Sequence, residues 1–374
     1  MARDTEFLNA FRALAAFWVL SAHCVIWGDL TVPKWLDPKS AVDIFIVLSG
    51  FLMMLVASQP DRGSWAQFYV RRFFRIAPLY YLVLVAVVLL QDPFLNGYQQ
   101  LVDLAPEKWV GSAFHPAAVE YDATNLLLHF TFLFGFLPGY SASTQLPDWS
   151  IGLEMQFYAA FPLLFLAQKR LGALAVGVAG AFVAAAWIWI YARGARMGLV
   201  DHFAEPAFLG FKLHMFMVGM LLFAGWKEQV AIRRLLLFGA AIGICVAQHR
   251  LFGTRSLTVT GLVVAMAILL WPTGWMDRER QTLNGILGGR FFGFFAELSY
   301  SAYLLHGFFL AIAGGAIASF AQRHDWSPEW RVFAIWAAVV PCTYVTSWAT
   351  FALVERPMIR IGRRAGSSTA ATAR

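Results

Sequence analysis

The sequence predicts an all-α fold: a polytopic membrane helical bundle of about ten transmembrane helices with both termini cytoplasmic. Three observations carry that expectation. The 374 residues are 59% hydrophobic and 14% charged, against about 45–50% and about 25% in soluble domains. Apolar runs near span length recur along the whole chain. Lys and Arg gather in alternate loops. So much apolar surface does not fit inside one water-soluble core, and 34 Phe, 15 Trp and 11 Tyr exclude a disordered chain.

A helix needs about 20 apolar residues to cross the hydrocarbon core. The runs fall at roughly 7–28, 41–58, 74–91, 150–168, 171–192, 207–226, 235–250, 257–272, 298–320 and 332–354. The seventh and eighth are short. Arg12 and His23 interrupt the first run and no small-residue cleavage site follows it, so it reads as a retained helix and not as a signal peptide. Placing the termini inside puts eighteen Lys/Arg on the cytoplasmic side and nine on the other. The net charge of +7 is then loop charge and no sign of nucleic acid. This topology makes 92–149 one outer segment, whose apolar piece 126–137 is too short to span and fits a re-entrant or interfacial element. Residues 1–360 read as a single membrane domain and 361–374 as a disordered cytoplasmic tail. Cys24, Cys245 and Cys342 lie in apolar stretches with no metal-ligand spacing, so neither a disulfide framework nor a metal site is expected.

Ionisable side chains inside spans are costly and point to function. In the first helix Arg12 and His23 are eleven positions apart, about 20° past three full turns, so they share a face about 16 Å apart along the axis. The second helix carries Asp43 at the depth of His23, where a carboxylate can orient an imidazole, and then Ser49 and Gly50, which suit close helix packing. Arg71, Arg72 and Arg75 precede the third span on the side of Arg12, as a phosphorylated ligand from the cytoplasm requires, although positive-inside charge accounts for them equally. The fourth helix opens with Asp148 and Trp149 at the outer boundary; Glu154 and Tyr158 share a face by i,i+4 spacing. The ninth holds Ser299, Tyr303 and His306 on one face. The tenth ends in Val-Glu-Arg-Pro, with Glu355 at the inner surface beside loop arginines. His129 and Lys212 read as polar, interfacial residues without a role.

Together these strings resemble the membrane acyltransferase-3 family. The shared features are Arg12 with His23, VDIFIVLSGF (residues 42–51), RRFFRIAPLY (71–80), DWSIGLEMQFY (148–158) with Pro162, LSYSAYLLH (298–306) and VERP (354–357). They follow the family's order across residues 9–357. The resemblance implies transfer of an acyl group, usually acetyl from acetyl-CoA, to a hydroxyl of a sugar or glycolipid in a bacterial inner membrane. No resident cofactor is expected, since acetyl-CoA or another acyl-CoA is a co-substrate. The expected partners are that donor, a carbohydrate or glycolipid acceptor and membrane lipid, with no nucleic acid. His23 is the expected general base, with Glu154 or Asp43 orienting its ring. Arg12, Arg71, Arg72, Arg75, Ser49, Trp149, Tyr158, Tyr303 and His306 are the expected substrate-binding residues.

Two other classes compete. Intramembrane His, Glu and Arg also suit a proton-coupled transporter or exporter, which internally repeated halves would favour; none is visible. A non-catalytic membrane scaffold has no need of charges in register.

Overall fold

A computed structural model describes residues 5–60, 63–109, 119, 121–144, 146–251, 257–271 and 277–368. Arg3, Arg62, Arg255 and Arg374, which enter the charge balance, lie outside the described residues. The elements are α1 (Leu8–Trp27), α2 (Pro38–Ala57), α3 (Trp65–Leu89), α4 (Gln91–Leu104), α5 (Pro106–Trp109), α6 (Ala123–Phe130), α7 (Trp149–Leu171), α8 (Ala173–Arg196), α9 (Leu209–Lys227), α10 (Ala231–Leu251), α11 (Leu257–Leu269), α12 (Asp277–Leu287), α13 (Arg290–Phe309), α14 (Gly315–Arg323), α15 (Pro328–Thr350) and α16 (Arg356–Ser368). Among the described residues there is no strand.

The helices start where local chemistry favours it. Asp37 caps α2 by accepting from the Lys39 backbone N–H at 2.9 Å, with Pro38 in the first turn. Ser64 and Gln67 form a capping box that opens α3. Single π-helical turns at Leu310–Gly314 and Phe351–Glu355 join α13 to α14 and α15 to α16, so these pairs run as continuous segments of 34 and 38 residues.

Nine helical segments among the described residues are long and apolar enough to cross a membrane, close to the expected ten. The eighth expected run carries the shorter apolar α11, 13 residues long among the described residues. The outer apolar piece does not span: α6 has eight residues and the chain then turns at Phe132, whose φ is +60°. The expected disordered tail is helical as far as Ser368. Gly362 lets α16 lie directly against Phe74 of α3. Residues 369–374 lie outside the described residues.

α1 is central, packed on α2, α13 and α15. α2 and α9 meet backbone to backbone. A Cβ at Gly50 would overlap the Phe216 carbonyl and one at Gly219 the Val47 carbonyl, the close approach that small residues permit between membrane helices. Leu14, Leu163, Phe182, Val345 and Leu353 face outward. Buried polar side chains, among them Asp43, His129, Asp148, Lys212, His306 and Glu355, face inward. Apolar groups therefore meet lipid while the interior carries the polar chemistry.

Candidate active site

The helices surround a cavity of about 1150 Å³. Nine of the residues singled out in the sequence form its wall: Arg12 of α1, Ser49 of α2, Arg71, Arg72 and Arg75 of α3, Glu154 and Tyr158 of α7, and Ser299 and Tyr303 of α13. Arg290, Arg356, Arg360 and Arg363 also line it. The eight arginines on the wall face two carboxylates, Glu154 and Glu297. All but Arg12 belong to the side that loop charge assigns to the cytoplasm.

Several wall residues meet partners from distant parts of the chain. Arg12 Nη2 donates to Ser299 Oγ at 3.1 Å. Arg75 Nη1 lies 3.3 Å from Glu355 Oε2, and Ser301 donates to the other oxygen of Glu355. The loop-arginine partner expected for Glu355 is therefore Arg75. Glu154 accepts from Ser49 Oγ at 2.9 Å and from Tyr158 Oη one helical turn along. The Arg72 guanidinium lies 5.7 Å and 5.9 Å from the ring centres of Phe68 and Tyr158, within cation–π range. At the far end Ser150 Oγ donates to Tyr303 Oη at 2.8 Å, and Phe45 meets the Tyr303 ring edge-on at 6.0 Å.

Four expected site residues lie off this wall. His23 is half-buried, and His306 is 1% exposed. The two rings meet with His306 Nε2 3.2 Å from His23 Nδ1. His306 also adjoins Tyr303, ring centres 5.8 Å apart, which puts the histidine pair just behind the far end of the cavity. Asp43 does not orient His23, because its carboxylate is 2.5 Å from Lys212 Nζ. A buried carboxylate takes the nearest cation, and Lys212 lies on α9, tight against α2. Glu154 does not orient His23 either, being bonded to Ser49 and Tyr158. Trp149, the first residue of α7, is 7% exposed and packs in the core.

A second polar group lies under the outer segment. Asp148 Oδ2 accepts from Tyr80 Oη at 3.0 Å and Thr144 Oγ1 at 2.8 Å, with His129 Nε2 3.6 Å away. Burial raises the Asp148 carboxyl above its ordinary range, while His129, Thr144 and Tyr80 pull it down. His129 is fully buried and stacks on Phe134 with ring centres 4.1 Å apart, so it packs in the interior. Nearby, Lys39 Nζ lies 3.4 Å from Glu205 Oε2.

The sequence reading did not single out Arg290, Arg356, Arg360 or Arg363 for the site. Arg356, Arg360 and Arg363 are spaced i, i+4, i+7, one face of a helix; the pattern was legible, with Arg356 and Arg360 at the end of the expected membrane domain and Arg363 in the expected tail. The Lys212–Asp43 and His129–Asp148 pairs left no local signal, since their members are 169 and 19 positions apart.

The fold and site define a class: a polytopic helical membrane protein with a large electropositive cavity and an imidazole pair behind the far end of that cavity. Comparison places the chain within that class. A family model for the acyltransferase domain of the acyltransferase-3 family matches residues 5–351, and the chain belongs to that family. It is 25% identical over 391 residues to "Acyltransferase MdmB" of Streptomyces mycarofaciens, covering 97% of this chain and 93% of that protein. It is 26% identical over 343 residues to "Exopolysaccharide production protein ExoZ" of Rhizobium meliloti (strain 1021), covering 87% and 90%. No solved structure matches.

Proposed function

We propose that this membrane acyltransferase moves an acyl group, acetyl in the first instance, from acyl-CoA entering from the cytoplasm to a hydroxyl of a sugar or glycolipid. The observation that carries this reading is the cavity: about 1150 Å³, eight arginines on its wall, and the histidine pair behind its far end. Its volume exceeds the about 300–1,000 Å³ of pockets for drug-sized ligands. That suits a long donor with phosphates at one end and a thioester at the other. Arg71 and Arg72, with the α16 arginines, are the phosphate ligands, since guanidinium groups bind phosphate in bidentate pairs. Arg12 and Arg75, already held by Ser299 and Glu355, line the arm of the donor. The name of the Rhizobium relative supports a carbohydrate acceptor, and the family supports a bacterial inner membrane.

In the proposed reaction His23 Nε2 takes the proton of the acceptor hydroxyl as its oxygen attacks the thioester carbonyl. The carbon–sulfur bond then breaks, and the imidazolium returns the proton to the departing thiolate. No net proton is consumed. General-base assistance of this kind is worth about 10²–10⁴-fold.

The test uses purified protein in sealed vesicles with acetyl-labelled acetyl-CoA and alkali-deacylated envelope glycan, following thioester loss and CoA release. Glycan-dependent turnover that falls by that factor in His23→Ala, and falls in Arg12→Ala, is the expected result. Full activity in His23→Ala removes the base assignment. No turnover or binding with any acyl-CoA removes the donor, and a transport assay follows.

A further inference from the structure

We propose that His306 is the positioning residue of His23: its Nε2 accepts the Nδ1–H of the His23 ring and shares the charge that ring takes up during transfer. This rests on His23 being the base, as proposed above.

Hydrogen accounting carries the assignment. The Val19 carbonyl oxygen lies 2.9 Å from His23 Nδ1. A carbonyl only accepts, so Nδ1 bears the hydrogen. The Tyr303 carbonyl oxygen lies 2.5 Å from His306 Nδ1, so that nitrogen also bears a hydrogen. A neutral His306 then has its lone pair on Nε2, 3.2 Å from the His23 Nδ1–H. The His23 hydrogen is shared between Val19 and His306 in a three-centre bond. With a hydrogen on His306 Nε2, two N–H groups would face each other. One tautomer pair therefore satisfies all three contacts, and it leaves His23 Nε2 with a free lone pair for the substrate.

Burial divides the roles. His306 is 1% exposed and sits behind the half-buried His23. Its ring meets His23 and Tyr303. Asp37 and Lys39, at the start of α2, are the charged groups that act on His23. The carboxylates that could have oriented the ring are engaged elsewhere, Asp43 with Lys212 and Glu154 with Ser49. A neutral imidazole thus holds the place that an acidic residue holds in a triad, without the cost of burying another carboxylate. When His23 Nε2 takes the hydroxyl proton, the Nδ1–H bond to His306 becomes charge-assisted and strengthens. When the thiolate recovers that proton, His306 ends as it began.

The test reads His23 directly and needs no acceptor. Diethyl pyrocarbonate modifies the uncharged imidazole. Labelling of the His23 peptide is followed by mass spectrometry across pH, in vesicles, for wild type, His306→Phe, His306→Gln and His306→Glu. Phe offers no acceptor, so the pH of half-labelling is expected to fall by about half a unit or more; Glu is expected to raise it; Gln, whose Oε1 accepts, stays near wild type. In the transfer assay His306→Phe is expected to lose at least about tenfold in kcat, with the KM for acetyl-CoA nearly unchanged and most of the rate recovered in His306→Gln. Identical His23 labelling profiles in wild type and His306→Phe overturn the proposal. Full turnover in His23→Ala removes the base assignment whatever the labelling shows, and the catalytic part of this proposal goes with it.

Discussion

The two ends of the molecule treat buried charge differently. Toward the outer side three buried carboxylates among the described residues each have a basic neighbour: Asp43 with Lys212, Asp148 with His129, Glu205 with Lys39. Toward the side that loop charge assigns to the cytoplasm, eight arginines line one cavity with two carboxylates among them. Matched charges in a low-dielectric interior hold helices together. An excess of one sign around a large cavity stores attraction for something not yet bound. The outer clusters therefore read as architecture and the inner cavity as a binding site, and variants at the two ends should fail in different ways.

The largest expected effect comes from reversing the inner excess. Arg71→Glu with Arg72→Glu removes the two proposed phosphate ligands, at about 1.5–3 kcal/mol each. Acetyl-CoA binding, by calorimetry or filter assay in detergent, should weaken by about 10²–10⁴-fold while the melting temperature holds. A large loss of melting temperature with unchanged binding would reverse the comparison. Next is the outer ion pair. Lys212→Met strands the Asp43 carboxylate and should cost about 3–5 kcal/mol. Adding Asp43→Leu should recover most of that in thermal unfolding, because a neutral pair has no charge left to strand. A single variant as stable as wild type would mean that the pair holds nothing.

A smaller effect sharpens the frame on which both ends are built. Gly219→Ala pushes a methyl group into the Val47 carbonyl and should cost about 1–3 kcal/mol, shifting the melting temperature without a change in donor affinity per folded molecule. The smallest concerns Glu205. Burial raises its carboxyl above the ordinary range and Lys39 pulls it back. The folded state thus holds this proton more tightly than the unfolded one, and the stability that protonation brings fades as pH rises from 4.5. Glu205→Gln stays neutral throughout. It should change stability at neutral pH by less than about 1 kcal/mol and flatten the dependence of melting temperature on pH.

Much of the cavity wall was legible because its residues follow local rules. Glu154 and Tyr158 are one turn apart and do meet. Arg71, Arg72 and Arg75 cluster at the start of a span that a capping box opens. The long apolar runs became helices, the run of 257–272 carrying the shorter α11, 13 residues long among the described residues. What was not legible was pairing. His23 and Asp43 look matched by depth, yet His23 meets His306, 283 positions away, and Asp43 meets Lys212. Depth in a bilayer is one coordinate, and a hydrogen bond needs three.

By itself the sequence determined the all-α membrane architecture, most of the segments long enough to cross and the face of α1 shared by Arg12 and His23. The bilayer imposes span length, backbone satisfaction and loop charge residue by residue. Only the tertiary structure decided which polar groups touch. It put Ser299 on Arg12, Glu355 on Arg75, His306 on His23 and the α16 arginines into the cavity wall. Those contacts depend on how helices far apart in the chain rotate and pack, and small residues such as Gly50, Gly219 and Gly362 set that packing through backbone approach.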